Sequence, residues 1–521
     1  MIQNPILKGF NPDPSIVRVD EDYYIATSTF EWFPGVRIHH SRDLKHWRLL
    51  TYPLTRTSQL NLKGNPSSGG IWAPNLTYAD GVFYLVYTDV KTKEGPYKDC
   101  HNYLVTATNI EGPWSDPIFL NSSGFDPALF HDEDGRKWLI NMEWNYRKRE
   151  KNFNGILLQE YNPKQEKLTG PISKIIEGEE HVLEGSNLYK KDDYYYIILA
   201  DGGTGYNHSV SVRRSKNIEG PFHQDPMLQI LTARNHPDHP IQRAGHGSLV
   251  ETQNGEWYMA YLCARPLSNK ECPLGRETAI QKCYWTNDGW LRMVEGGGLP
   301  TSKTEAPNLR EHPFKLLPEK IDFDEEQLPQ YYQSLRVPVT EDWASLRDRK
   351  GFLRLYGRES LSSVHEQSLI ARSIDEYFVE IETAVEFEPA TFMQKAGLIC
   401  MFDEDDLFYL HISYDNNLGK ILQIIKHEQG NYDELLEDPI PIHIQSEINM
   451  KVMISREWLQ FYYHFGKTEW QEIGPPLPFG NLGDEYSGKL GFTGAFVGIC
   501  CQDLSGQRKY ADFDYINYYY K

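Results

Sequence analysis

One pattern recurs five times before about residue 260: a polar or small head, an apolar pair, a turn rich in Asp, Gly or Asn, and then an aromatic strand. The copies are Asp13 to Ser28, Ala73 to Thr88, Asp126 to Met142, Glu184 to Ala200 and Gly245 to Tyr261. Their first aliphatic residues, Ile16, Leu76, Leu129, Leu188 and Leu249, follow one another at steps of roughly 60 residues. Each copy reads as a β-hairpin, with Asp20-Glu21-Asp22, Asp80-Gly81, Asp134-Gly135, Asp192-Asp193 and Asn254-Gly255 at the turns. A hairpin alone cannot bury both faces, and a unit of about 60 residues has room for four strands, which is one blade of a β-propeller. Five copies predict five blades. A parallel α/β sheet would need helical crossovers, whereas Ser115 to Gly124 and Asn217 to Gln224 are punctuated by Pro and Gly.

The repeat stops near residue 305, so the propeller is assigned to residues 1–305 and the Pro- and Glu-rich stretch 306–327 to a linker. Residues 328–521 form a second domain. Its clearest strand alternates Val379, Ile381, Thr383, Val385 and Phe387 with Glu380, Glu382, Ala384, Glu386 and Glu388, which gives one dry face and one wet face. Further short runs at similar spacing predict a β-sandwich of jelly-roll or lectin type. The 33 Tyr, 23 Phe and 12 Trp agree with an all-β chain.

Charge narrows the partners. With 73 acidic against 53 basic side chains the net charge is −20, which disfavours nucleic acid and anionic membrane surfaces and favours a neutral small substrate. No stretch approaches the roughly 18 apolar residues of a membrane span, and Met1 to Ser15 has no secretory pattern, so a cytoplasmic protein is expected. The seven cysteines are odd in number and scattered, as reduced thiols would be.

The first strand of each blade lines the channel of a propeller, so the heads of the copies should converge at one end of the axis. Three residues before each anchoring aliphatic stand Asp13, Ala73, Asp126, Gly185 and His246, with Trp72 and Glu184 one position earlier in their copies. A lone Asp-Pro at a strand start is ordinary turn chemistry. Several carboxylates in one partly dry space repel one another, so one of them should hold a proton near neutrality beside an ionised partner. That is the pair needed to split a glycosidic bond. Phe30, Trp32, Trp72 and Trp144 offer faces to sugar rings, although Trp in a propeller often serves the core. Arg276 could donate to hydroxyls, or could simply pair with Glu277.

Taken together, Asn11-Pro12-Asp13-Pro14-Ser15, Trp72-Ala73-Pro74, Phe125-Asp126-Pro127-Ala128, Glu184-Gly185 before Leu188-Tyr189, Gly245-His246-Gly247-Ser248-Leu249 and Leu274-Gly275-Arg276-Glu277-Thr278 make the chain resemble glycoside hydrolase family 43, specifically its two-domain β-xylosidases. The resemblance spans essentially the whole length. It implies that Asp13 is the general base, Glu184 the general acid and Asp126 the residue that orients the acid and modulates its pKa, in a single displacement with inversion. It also implies that a sandwich loop caps the pocket; Thr493 to Gly498 matches that place, with Phe496 as lid, although ordinary strand packing is the alternative. Relatives associate, so a homo-oligomer, dimer or tetramer, is expected.

His246 is either a neutral ring on the pocket floor, the favoured reading, or the ligand of a divalent cation such as calcium on the propeller axis; no cofactor is required. The expected activity is release of xylose from the ends of xylobiose and short xylo-oligosaccharides, with α-L-arabinofuranosides as further substrates. The alternatives are an arabinofuranosidase or arabinanase of the same fold and a non-catalytic carbohydrate-binding propeller. A metal-dependent lyase or transferase has no phosphate loop or His-Glu-x-x-His to suggest it. Ser248, in Gly-His-Gly-Ser, lacks the context of a serine nucleophile.

Overall fold

The computed structural model describes residues 1–315, 318–443, 447–466, 469–486 and 488–521. Among them, five antiparallel four-stranded sheets follow one another along the chain. Their inner strands are Ser15–Val19, Gly70–Ala79, Ala128–His131, Leu183–Lys191 and Gln242–Glu251, each paired with the next strand through one of the five expected turns. Asp80 and Gly81 both take positive φ, 54° and 79°, as a two-residue hairpin turn requires. The five-bladed propeller is therefore as the repeat predicted, and the only helical pieces among the described residues are the short turns Gly296–Gly298 and Phe479–Leu482.

Inner strands of neighbouring blades splay apart and cannot share a ladder, so their N–H groups need other acceptors. A side chain of the adjacent blade supplies one such acceptor to each inner strand. Ile16 N donates to Ser248 Oγ (3.1 Å), Leu76 N to Ser15 Oγ (3.0 Å), Leu129 N to Asn75 Oδ1 (3.0 Å), Gly185 N to Asp126 Oδ2 (3.0 Å) and Leu249 N to Tyr189 Oη (2.8 Å). These bonds close a ring around the axis. The N-terminal segment locks it: Ile2–Gln3 pairs with Lys303–Thr304, and Asn11 N donates to Arg276 O at 2.9 Å.

The second domain is a sandwich of an eight-stranded and a nine-stranded sheet. The Glu-alternating strand, Phe378–Glu386, buries Val379, Ile381, Thr383 and Val385 as its pattern requires. Segment 306–327 is divided between the two domains. Lys45 pairs with Glu311 and His312 N donates to Asp43 Oδ2 (2.7 Å), whereas Lys320–Ile321 joins the sandwich strand Tyr510–Tyr520.

The nine-stranded sheet ends on a strand taken from the propeller. Trp32–Phe33, between the second and third strands of the first blade, pairs with Ser334 and Leu335 of the sandwich. One continuous apolar cluster accordingly contains Phe10, Trp32 and Trp72 of the propeller together with Leu369, Ile399 and Phe496 of the sandwich. The sandwich thus sits on the end of the propeller where the inner strands begin.

Candidate active site

At that end the five heads converge on a pocket of about 210 Å³ lined by Asp13, Phe30, Trp72, Ala73, Asp126, Glu184, His246 and Arg276. Asp13, Asp126, Gly185 and His246 share a left-handed backbone, with φ between 53° and 57°. That conformation costs free energy for residues other than glycine and persists where neighbours over-determine it, so four equivalent positions are turned toward the axis by the same kink. In the fourth blade the head is glycine for a packing reason: a Cβ on Gly185 would lie 2.7 Å from His246 Nδ1. The carboxyl comes instead from Glu184, next to a register shift between Glu184 and Asn187 that re-aims the strand.

The three carboxyls have different surroundings. Asp13 accepts from Ser28 Oγ at 2.7 Å and from Arg276 Nη1 at 3.1 Å, and His246 Nδ1 stands 4.0 Å away. Asp126 accepts the Gly185 N–H, and burial together with the charges of Glu184 and Asp13 holds its carboxyl well above the usual carboxylate range. The Glu184 carboxyl has no hydrogen-bond partner among the described residues. Burial first, then the charge of Asp13, push it up to about 7, against the pull of Arg276 and Lys98. The pocket therefore sets Asp13, held by two hydrogen-bond donors, beside two buried carboxyls, Glu184 and Asp126, whose hold on a proton is strengthened.

Arg276 is buried between two rings, with its guanidinium carbon 5.4 Å from the Phe30 centroid and 5.1 Å from that of Phe492. Besides Asp13 it holds the Phe492 carbonyl, through Nε and Nη2 at 3.2 Å each. The Phe492 loop reaches it because two glycine backbones touch. A Cβ on Gly275 would lie 2.7 Å from Thr493 O, and one on Gly494 2.7 Å from Gly275 N. Burial keeps the His246 ring from gaining a proton, with Arg276 acting the same way and Asp13 opposing. Among the described residues no group of three or more His, Cys, Asp or Glu side chains is placed to hold a metal ion together.

Residues 2–291 match the family Glycosyl hydrolases family 43, and residues 320–519 match the Beta xylosidase C-terminal Concanavalin A-like domain. The chain belongs to glycosyl hydrolase family 43. Its fold is similar to that of xylan beta-1,4-xylosidase from Bacillus halodurans, with a TM-score of 0.98 and 57% identity over 99% of this chain and 100% of that one. It is 46% identical to a beta-xylosidase of Bacillus subtilis (99% of each chain) and 47% identical to xylosidase/arabinosidase 43B of Humicola insolens (99% of this chain, 97% of that one). The protein is a glycoside hydrolase.

Within this family-43 pocket the structure brings together most of the residues singled out in the sequence and excludes two. Trp32 is fully buried and stacks on Phe496, with centroids 3.7 Å apart and planes at 12°. Phe496 packs on Phe10, which in turn packs on Phe30 at the pocket, and neither Trp32 nor Phe496 lines the open space. Phe496 is therefore core, and it is Phe492, just before it in the chain, that lines the pocket, together with Leu490. The cause is strand register: Phe496 opens the strand Phe496–Asp503 and pairs with Ser373 and Met401, whereas Phe492 precedes that strand. Arg276 does not pair with Glu277; Glu277 receives Nε and Nη2 of Arg265 at 2.7 Å each.

Several lining residues were not singled out. Phe125 was visible in its motif and lies edge-on to Trp72 at 5.3 Å. Lys98, whose ammonium lies 4.7 Å over Trp144, sits in a loop outside the repeat, as do Gly203 and Thr204. No residue pattern marks such loop positions, because only the blade strands repeat.

Proposed function

We propose that the protein is an exo-acting, inverting β-xylosidase that releases xylose from the non-reducing ends of xylobiose and short β-1,4-xylo-oligosaccharides. The observation that carries this reading is the contrast between Asp13, fixed by Ser28 and Arg276, and Glu184, unbonded and with a pKa near 7, in one pocket. Asp13 acts as general base on the attacking water, and Glu184 as general acid on the leaving oxygen. Asp126 steadies the acid through the Gly185 N–H beside it. The aromatic arc of Phe30, Trp72, Phe125 and Phe492 takes the apolar face of one sugar unit. A small pocket walled on one side by a sandwich loop admits a chain end more readily than the middle of a polymer. The xylosidase names of the similar proteins point to the same substrate, and the xylosidase/arabinosidase among them points to α-L-arabinofuranosides as secondary substrates.

The proposal extends to setting and assembly. All seven cysteines are free and buried, in keeping with a reducing cytoplasm. Phe378, Trp458 and Tyr520, exposed by 47, 53 and 46% near one end of the eight-stranded sheet, are the surface through which copies would associate as a homo-oligomer. Sedimentation of the protein with Trp458→Asp tests that surface.

The experiment for the activity is a proton NMR time course with xylobiose, read before mutarotation. Early α-xylose establishes inversion and supports the assigned roles. Early β-xylose means double displacement and a nucleophilic carboxylate. Absence of hydrolysis, with arabinofuranosides cleaved instead, moves the protein to the arabinofuranosidases.

A further inference from the structure

Behind the pocket wall lies a guanidinium that does not line the open space. Arg243, on the inner strand of the fifth blade, is 4% exposed and takes φ of 58°, a strained value for a side chain of its size. Its Nε donates to Thr204 O at 2.8 Å, and Nη1 and Nη2 grip the two carboxylate oxygens of Asp484 at 3.0 and 2.8 Å. Nη1 also reaches Glu485, whose other oxygen accepts the Cys272 N–H at 3.0 Å. One fork therefore gathers three pieces of wall: the fourth-blade loop with Thr204, the fifth-blade loop that leads to Arg276, and, in the sandwich, Asp484, whose Cβ lies 3.0 Å from where a Cβ on Gly491, the neighbour of Phe492, would stand.

Through Gly491 that contact reaches Phe492 and the reacting groups. The Phe492 carbonyl holds Nε and Nη2 of Arg276, and Nη1 of Arg276 holds Asp13. A buried ion pair of this kind contributes little net stability against packed apolar residues, but its bidentate geometry fixes orientation. Lysine would keep the charge at position 243 and lose the fork.

We propose that Arg243 is a positioning residue for hydrolysis, setting the sandwich loop so that Phe492 O aligns Arg276 on Asp13. This rests on the reading of Asp13 as the base. Because the base is needed whatever group leaves, misalignment should harm every substrate alike.

The test compares wild type, Arg243→Lys, Arg243→Ala and Asp484→Asn on xylobiose and on an aryl xyloside with a good leaving group. Thermal unfolding gives the folded fraction, and pocket tryptophan fluorescence gives xylose affinity. Arg243→Lys should lose roughly 100-fold in kcat per folded molecule, by the same factor on both substrates, as expected of a small misplacement at a reacting group. Guanidinium ion at millimolar concentration should recover part of the kcat of Arg243→Ala and none of that of Asp484→Asn. Arg243→Lys within about threefold of wild type on both substrates overturns the proposal, as does a loss that only tracks the unfolded fraction. A loss confined to xylobiose also overturns it, since that would act through Glu184. Should wild type cleave neither substrate, the hydrolase reading fails separately. Xylose affinity then decides for Arg243: about tenfold weaker binding in Arg243→Lys sustains the positioning role, and unchanged binding overturns it.

Discussion

Gly185 donates its N–H to Asp126 Oδ2 at 3.0 Å, and Gly185 is the residue next to Glu184. The bond crosses from the fourth blade to the third and is one of the five that join the inner strands around the axis. A single acceptor thus helps close the ring and anchors the strand that presents the proposed acid. Catalytic geometry and blade packing are coupled at this point, and the two contributions can be separated by substitution.

Asp126→Asn keeps an oxygen for the Gly185 N–H, whereas Asp126→Ala leaves that donor buried without a partner. The alanine variant should lose about 1–3 kcal/mol of stability relative to the asparagine variant. Both should lose activity on xylobiose, by up to roughly 100-fold. Calorimetry beside steady-state kinetics checks this; equal melting temperatures for the two variants would show that the bond does not support the ring.

Gly185→Ala combines two penalties, a Cβ at φ of 56° and a contact of 2.7 Å with His246 Nδ1. Gly81, at φ of 79° with nothing within 4 Å of its would-be Cβ, carries only the first. Each alanine should cost roughly 1–2 kcal/mol for the left-handed backbone. Only Gly185→Ala should also lose turnover, because His246 must move in a pocket that contains Asp13. A Gly81→Ala variant with reduced kcat would refute the distinction.

The legibility of this protein follows its repetition. Propeller strands repeat hydrophobic period and turn chemistry together, so the blade count and the inward heads are legible in the sequence from Asp13, Asp126 and His246. Glu184 was readable as an out-of-step head, but the reason, a glycine forced by His246 Nδ1, is a contact between blades. The sandwich loop was harder. Phe492 and Phe496 differ in fate because the strand begins at Phe496, and strand starts are the least determined feature of a sequence. For Trp32 the sequence leaves sugar contact and core packing both open, because it does not reveal that Trp32–Phe33 leaves the propeller to pair with Leu335 and Ser334.

The different places of Phe492 and Phe496 can be checked directly. Phe496→Ala removes a fully buried ring stacked on Trp32 and should cost roughly 3–5 kcal/mol. Its KM for xylobiose should change little in the protein that remains folded. Phe492→Ala opens the pocket wall, so KM should rise severalfold while the carbonyl that holds Arg276 remains. The reverse assignment of the two effects would restore Phe496 as the residue that covers the substrate.

Glu184 predicts the alkaline behaviour of both activity and stability. A general acid must carry its proton, so kcat/KM on xylobiose should fall as pH rises through about 7. The limb should vanish in Glu184→Ala assayed on an aryl xyloside whose leaving group needs no proton. The stability effect has a determined sign. The folded protein binds this proton more tightly than the unfolded chain, where the ordinary glutamate value is 4.5, so the unfolded state releases it as pH rises. Burying Glu184 is therefore without penalty below 4.5, becomes increasingly destabilising up to about 7, and levels off above that. Glu184→Gln removes the penalty, so it should raise the melting temperature relative to wild type at pH values above about 7 and leave it nearly unchanged near the unfolded value. Melts of both proteins across that range test the buried proton independently of any substrate. A glutamine variant without its alkaline advantage would mean that Glu184 ionises in the folded protein as it does in the unfolded chain, and the acid role would have to pass to Asp126, whose carboxyl burial and like charge also hold above the usual range.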